Sequence, residues 1–378
     1  MRKLASAGFS FLAVAVSVFA SAQVPVQQLT YRGFSVVRQS DLEPALNRYA
    51  VTGYRLAAIS TAASGNVIVL MDQLPPESAV REYRVIFGGW AHLRGLHNES
   101  PAAEQMNEAG AQGFRFVPGS VVFESGAAAA VVMEKDPDPS ARYDYRIFSP
   151  QLETSHRFQQ DALQGQQEGF HVVFHGHAGR GASTLMEKRT DAPASAQPDL
   201  ESNRFLSVSG KDMRKRLQQQ LDEGYVAMRS SVWMDIGIIQ IPLWLQKAHG
   251  SDLLLVTHEA EFARRDGNAD ACAGEFVSKL NDAAARGYRM IAPPVRIAWV
   301  KPAFRVHPMA SFNAVMQRSP GTTRIAYRYL PGTSLPELVS GLNEAATDGF
   351  HLVPDTLGRD GSLLMERVQP ASSGGGAQ

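Results

Sequence analysis

The sequence predicts an α+β fold made of six tandem β-α-β-β repeats, each a three-stranded sheet with one helix. Three observations predict it. A glycine followed at once by an aromatic residue recurs at spacings of 55 to 63 residues. An apolar stripe with helical spacing precedes each glycine, and a strand-like tetrad closes each copy. The six glycines, which we expect to be structural corners, are Gly53, Gly113, Gly169, Gly224, Gly287 and Gly349.

Each predicted repeat opens with a short strand, because aromatic residues and alternating polarity favour a strand over a helix. In the fourth and fifth copies, which we place at 205–208 and 253–256, this opening is degenerate. The other four openings begin with a tyrosine, at Tyr31, Tyr83, Tyr145 and Tyr327.

A helix is predicted next in each repeat. Residues eleven and seven positions before the glycine are mostly apolar, and residues four apart share one face of a helix. An asparagine recurs six residues before the glycine in four copies, and we interpret it as a polar residue at a helix end. The stripe residues are Leu42, Leu46, Ala102, Met106, Phe158, Ala162, Met213, Leu217, Phe276, Leu280, Leu338 and Leu342.

The glycine is expected to end the helix in a left-handed conformation, with the aromatic residue packing back on the last turn. The aromatic residue then begins a second strand, and a tetrad such as 185–188 forms the third. Arg or His follows the aromatic residue in five copies, and an acid or amide follows the methionine position in all six. We expect these polar residues to pair across strands on a solvated face.

A right-handed crossover makes the first two strands parallel and predicts the strand order one-three-two. Both edges of such a sheet are open, so neighbouring repeats are expected to cover them. The pattern resembles a family of small bacterial domains of unknown function, with a Tyr-rich opening strand, a Leu-Asn helix, a Gly-aromatic corner and a closing Leu-Met-Glu-Lys strand. The resemblance covers each copy between about Tyr31 and Arg367, and the family has no agreed activity to carry over.

The first residues predict a Sec-type signal peptide of a bacterial protein. Arg2 and Lys3 precede an apolar stretch at 9–19, and small residues at 20–22 place cleavage before Gln23. We divide the chain into a signal peptide at 1–22, repeats one to three at 23–189, a Pro/Ala/Ser-rich linker at 190–203, repeats four to six at 204–369 and a disordered tail at 370–378. Two groups of three repeats are favoured, while three pairs or one continuous array stay open.

The composition and the absence of known motifs limit the classes of function to be expected. Lys plus Arg and Asp plus Glu are both 37, so no broad positive field predicts a nucleic-acid partner. Cys272 is the only cysteine and cannot form an internal disulfide. No familiar catalytic, phosphate-binding or zinc motif occurs. We therefore expect a periplasmic or secreted protein without a cofactor or a transmembrane segment after signal cleavage. Its expected role is non-catalytic binding or scaffolding, with an envelope or extracellular ligand or protein as partner.

Three groups of side chains are candidates for a function. An envelope hydrolase is one alternative, with His258 or His307 paired with Glu259 or Glu261 as acid and base. A metal site is another, because His171, His175 and His177 share one face if their strand alternates without a break. The partner-binding candidates lie in the loops that lengthen in repeats two and five, unless those loops only cover sheet edges. They are Trp90, His92, His97, His258, Glu259, Glu261, Trp299, Lys301 and His307.

Overall fold

The structure is a computed structural model of the whole chain. It describes residues 29–62, 64–75, 78–88, 101–124, 127–148, 160, 163–178, 181–191, 203–209, 212–227, 233–235, 240–247, 252–261, 268–291, 295–300, 308–318, 324–354, 356–358 and 361–369. The predicted signal peptide, the tail and most of the predicted linker therefore lie outside the described residues. None of the helices in the described ranges is long and apolar enough to cross a membrane.

The protein is a mixed α+β structure of short helices and small sheets. The helices are α1 (Leu42–Ala50, preceded by a 3₁₀ turn at Gln39–Asp41), α2 (Pro101–Ala111), α3 (Met213–Asp222), α4 (Asn268–Ala285) and α5 (Leu335–Thr347), and residues 163–167 are also helical. The strands of the first half are β1 (Tyr31–Val36), β2 (Tyr54–Thr61), β3 (Val67–Gln73), β4 (Tyr83–Phe87), β5 (Phe114–Phe116), β6 (Val122–Glu124), β7 (Ala127–Lys135), β8 (Tyr143–Phe148), β9 (His171–Ala178) and β10 (Gly181–Arg189).

The second half continues in the same way. Its strands are β11 (Asn203–Ser209), β12 (Tyr225–Ala227), β13 (Trp233–Asp235), β14 (Gln240–Lys247), β15 (Leu253–Glu261), β16 (Tyr288–Met290), β17 (Val295–Val300), β18 (Pro308–Arg318), β19 (Arg324–Leu330), β20 (His351–Leu352) and β21 (Leu363–Gln369).

These strands form six sheets, which we number first to sixth along the chain. The first, third, fourth and sixth sheets have the orders β1-β3-β2, β8-β10-β9, β11-β14-β12 and β19-β21-β20. The second has β4-β7-β5, with β6 also on β7. The fifth has β13-β17-β18-β15, with β16 also on β18. The predicted order one-three-two is thus confirmed for the three-stranded sheets, whose central strand is antiparallel to both neighbours.

Two details of the strands differ from the expectation. The register pairs Asn203 with Gln246 and Arg204 with Leu245, so the fourth opening strand begins before the predicted 205. The fifth sheet is enlarged, because β13 of the preceding segment pairs in parallel with β17. The sequence did not predict this added strand.

Each helix ends at one of the six glycines. Their φ angles lie between +80° and +90°, in the left-handed region that an L-residue adopts only with strain. At two corners the amide after the glycine donates back into the helix, from Phe170 to the Gly165 oxygen and from Phe350 to the Ala345 oxygen. This is the hydrogen bond of a Schellman ending, and it explains why the helix and the second strand meet at the glycine.

The core lies between successive sheets. The predicted apolar stripe is buried wherever its side chains are described, including Leu42, Leu46, Leu280 and Leu342. Helix α2 packs on β8 of the following sheet as well as on its own β4 and β5, and α4 packs on β19 in the same way. One apolar cluster therefore joins the second and third sheets, and another joins the fifth and sixth.

The last helix packs against the first strand. Helix α5 contacts β1, and Leu338, Leu342 and Phe350 share an apolar cluster with Tyr31 and Leu70. A Cβ atom on Gly33 would lie only 2.7 Å from Val339 Cγ2. Glycine at this position therefore lets the helix lie close to the strand, and the two ends of the described chain are in direct contact.

Candidate functional site

Polar contacts between successive sheets form the best-defined site in the structure. The side chain of Asn107, on α2, accepts a hydrogen bond from the backbone N–H of Tyr145 at 2.6 Å and donates one to its carbonyl at 3.2 Å. Tyr145 lies near the start of β8, an edge strand of the third sheet. The amide side chain thus takes the place of a neighbouring strand, since it offers one donor and one acceptor to the exposed edge.

The tyrosine side chain reaches in the opposite direction. The Tyr145 hydroxyl oxygen accepts a hydrogen bond from the backbone N–H of Phe116 at 2.9 Å, on β5 of the second sheet. The hydroxyl also donates to the Glu187 carboxylate at 3.1 Å. Both sheet edges at this junction are therefore capped by side chains. Burial chiefly raises the pKa of the Tyr145 phenol, and the nearby Glu187 charge raises it further, so the hydroxyl keeps its proton.

The same arrangement recurs at three other junctions. In each, the asparagine bonds both backbone groups of a tyrosine on the following sheet, and the tyrosine hydroxyl accepts from a backbone N–H of the preceding sheet. The register sets an acid opposite each tyrosine. We call the asparagine, tyrosine and acid together an interlock; the four are Asn47/Tyr83/Glu134, Asn107/Tyr145/Glu187, Asn281/Tyr327/Glu366 and Asn343/Tyr31/Asp72.

The fourth interlock joins the last helix to the first strand. The Tyr31 N–H donates to Asn343 Oδ1 at 2.7 Å, and Asn343 Nδ2 donates to the Tyr31 carbonyl at 3.1 Å. The Leu352 N–H donates to the Tyr31 hydroxyl at 3.1 Å. The contact between the chain ends thus has the same geometry as the contacts between neighbouring sheets.

Arginines complete the interlocks. Arg115 Nε lies 2.9 Å from Glu187 Oε1 on the following sheet, and Arg289 pairs with Glu366 at 2.7 Å in the same way. Arg55 instead pairs with Asp72 on its own sheet at 2.9 Å. The expected pairing across strands is confirmed for Arg55 and Asp72, but the expected solvated face is wrong for Glu187, which is only 1% exposed, and for Asp72, which is also buried. A buried carboxylate requires a partner, which the guanidinium and the tyrosine hydroxyl supply.

The recurring asparagine is also reinterpreted. The helix-end interpretation explains it by its own helix, whereas the structure places its side chain on the backbone of the next sheet. A signal for this was present in the sequence. Asparagine occurs in copies one, two, five and six, and tyrosine in copies two, three, six and one, so the two patterns coincide after a shift of one copy.

The expectation that His171, His175 and His177 share one face required an unbroken strand, and β9 is not unbroken. The β9–β10 register pairs Val172 with Met186 and Phe174 with Leu185, so a bulge interrupts β9 after His171. Alternation counted from His171 therefore does not extend to His175 and His177, because a bulge shifts the facing of the residues beyond it. The His171 imidazole lies 3.6 Å from the Glu187 carboxylate. Among the described residues, no group of three His, Cys, Asp or Glu side chains could hold a metal ion.

The acid-base candidates are separated by the strand that carries them. His258 is buried on β15, and its Nε2 lies 3.5 Å from Glu275 on α4. Burial chiefly lowers the pKa of His258, the Lys279 charge lowers it further, and Glu275 opposes both. Glu259 and Glu261 take register positions that alternate with that of His258 in an uninterrupted ladder with β18. His258 is thus set beside Glu275, which the sequence did not single out.

Of the remaining candidates, only Trp299 lies among the described residues. Trp299 lies in β17, where it is opposite Met309 and Asp235. Trp90, His92, His97, Lys301 and His307 lie outside the described residues.

Comparisons with known proteins found no similar protein. No protein-family model matches the chain, and neither curated proteins nor solved structures give a match. The resemblance to a family of small bacterial domains accordingly stays a prediction.

Proposed function

We propose that this protein is a non-catalytic binding or scaffold protein of the bacterial cell envelope, exported to the periplasm or beyond. In this proposal its framework is a closed ring of six β-α-β-β repeats, and the segments of repeats two and five that carry the partner-binding candidates bind the partner; the described candidates of repeat five lie on strands β15 and β17 and not in loops as expected. The observation that carries the proposal is the interlock between Asn343 and Tyr31, which repeats the geometry of the other three junctions.

A ring of this kind suits binding for a physical reason. Each interlock covers two sheet edges with side chains, so the edges are not left to pair with other chains. Segments that connect the elements of a rigid scaffold are where binding residues usually lie. The site around His258 supports this assignment over a hydrolase, because the imidazole is 8% exposed and little of it can reach a substrate.

A retention experiment tests the proposal. The exported protein, tagged after Gln378, is immobilised and exposed to the envelope fraction of its host, and its intact mass reports whether cleavage precedes Gln23. We expect an envelope component to be retained by the wild type and lost by the Trp299→Ala/Lys301→Ala variant. Gly274→Ala, on an exposed and uncrowded helix position, serves as the matched control and should retain it. Equal retention by the Trp299→Ala/Lys301→Ala variant, or none above a blank column, would contradict the proposal.

A further inference from the structure

The interlock residues are absent together at two junctions. Between the third and fourth sheets, the positions of asparagine, tyrosine and acid hold Leu163, Asn203 and Gln246. Between the fourth and fifth sheets they hold Gln218, Leu253 and Gln317. At the other four junctions all three are present. The three residues therefore occur as a set, as expected if each depends on the other two.

The substitutions remove the interlock chemistry itself. Leucine at 163 carries neither the donor nor the acceptor that Asn107 offers to the next sheet. Asparagine at 203 lacks the ring and the hydroxyl of tyrosine, so it has no group that can take the place of the Tyr145 hydroxyl, which accepts from the Phe116 N–H. Glutamine at 246 has no negative charge to hold an arginine. The edge of β11 thus lacks the residues that cover the equivalent edge of β8.

The two junctions without an interlock are not equal. Between the fourth and fifth sheets, β13 pairs in parallel with β17, and α3 packs on β15. Backbone hydrogen bonds therefore replace the interlock there. No such strand exchange joins the third and fourth sheets among the described residues.

We propose that the ring has a built-in seam between the third and fourth sheets, at which it opens while the chain ends remain joined. This inference rests on the ring arrangement proposed above. The four interlocks keep the fifth, sixth, first, second and third sheets connected in that order, and β13 keeps the fourth sheet on the fifth. In this proposal, opening at the seam separates the fourth sheet from the third and leaves every interlock intact.

Hydrogen exchange on the intact exported protein tests the seam. Strands β8 and β11 hold the same place in their sheets, so their amides are directly comparable. We expect the β11 amides to exchange at least about tenfold faster than those of β8. We also expect Leu163→Asn/Asn203→Tyr/Gln246→Glu, which builds an interlock, to slow β11 exchange by a similar factor. The matched control Gln218→Asn/Leu253→Tyr/Gln317→Glu makes the same changes at the next junction and should leave β11 unchanged.

Two outcomes would overturn the inference. One is wild-type exchange of β11 that is as slow as that of β8, a result that needs no variant to fold. The other is a folded triple variant, judged by its thermal transition, whose β11 exchange is unchanged. If a disulfide forms between cysteines introduced at 33 and 339 while β11 is fully protected, the ring holds and only the seam is wrong.

Discussion

At the scale of single residues, the asparagines and tyrosines do most to join one sheet to the next. One amide side chain satisfies both backbone groups of a tyrosine, and the hydroxyl of that tyrosine satisfies a third backbone group. A buried backbone group without a hydrogen-bond partner lowers the free energy of unfolding, so the loss of even one of these contacts should destabilise the protein measurably. They also explain why asparagine recurs at this position in four copies, since the longer side chain of glutamine would move the amide away from the strand.

Replacement of Asn107 by leucine is predicted to destabilise the protein by about 2 kcal/mol, because two part-buried backbone groups of Tyr145 lose their partners. Denaturant unfolding monitored by circular dichroism measures the loss. Glu108→Gln changes an exposed residue of the same helix and should shift stability by less than about 0.5 kcal/mol. Equal stability of the two variants would show that the asparagine does not hold the sheets together.

His258 predicts a pH dependence of stability. Its pKa is below the usual 6.5 in the folded protein, so the unfolded chain binds the proton more tightly. The stability due to the neutral imidazole is fully present above about pH 6.5 and is lost as the pH falls through that value towards the folded pKa. We therefore expect the melting temperature of the wild type to fall between pH 7 and pH 5 more steeply than that of His258→Gln.

The control for this measurement is His351→Gln, which removes an exposed histidine from β20. It should keep the steep fall of the wild type. Parallel pH profiles for the wild type and His258→Gln would exclude a contribution from the buried imidazole.

At the scale of elements, the sequence was informative because the local signals agree. The glycines mark where the helices end, the apolar stripe marks the helices, and alternating polarity marks the strands. The strand order follows from this sequence of elements and a right-handed crossover. What the sequence did not predict depends on contacts between elements. The bulge in β9, the added strand β13 and the burial of Glu187 are set by partners that are distant along the chain.

Gly169→Val is predicted to destabilise the protein by about 2 kcal/mol. Its φ of +90° is strained for any L-residue and more so for a β-branched one, whereas an added Cβ would meet only Lys188 side-chain atoms, at 3.6 Å or more. The cost is therefore one of backbone conformation and not of crowding. Thermal unfolding measures it, and an unchanged transition would contradict the assigned role of the corner.

The control glycine should respond with the opposite sign. Gly274 lies within α4, where an added Cβ atom would meet nothing within 4 Å, and its φ is not positive. Gly274→Ala is expected to stabilise the protein by about 0.5 to 1 kcal/mol, because alanine favours the helix and restricts the unfolded chain. A loss of stability in both variants would point to crowding at both sites.

At the scale of the whole molecule, the contact between α5 and β1 brings the sixth sheet against the first. The expected division at 190–203 treats the two halves as separate groups, and most of that segment lies outside the described residues. The contact of the last helix with the first strand was not predicted. The sequence did carry a signal for it, because shifting the asparagine pattern by one copy pairs Asn343 of copy six with Tyr31 of copy one. A repeat count alone could not distinguish an open array from a ring, because both have the same local sequence.

A cysteine pair tests the closure. In a Cys272→Ser background, Gly33→Cys and Val339→Cys should form a disulfide, since a Cβ atom at 33 would lie 2.7 Å from Val339 Cγ2, a contact that Val339→Cys relieves. The flexible end of the Leu335 side chain, 2.8 Å from the same Cβ, must move aside. The bond would close a loop of about 300 residues and should stabilise the protein by about 4 kcal/mol or less, depending on strain. Electrophoresis without reductant detects it as a faster-migrating monomer.

Ser340→Cys in place of Val339→Cys is the matched control. Ser340 is exposed on the same helix and next to 339, but it lies about 100° further round the helix axis. It should form the disulfide much more slowly. Equal rates for both pairs would contradict the contact of α5 with β1.

The pairing of Tyr31 with Asn343 has a consequence for how the protein is made. The two residues are 312 positions apart, so the partner of Tyr31 is synthesised long after the opening strand. A ribosome adds residues from the N-terminus onward, and contacts between distant positions form slowly because the intervening chain must first be ordered. The nascent polypeptide can therefore pair β1, β3 and β2 early, but Tyr31 gains its amide partner only after 312 further residues have been added.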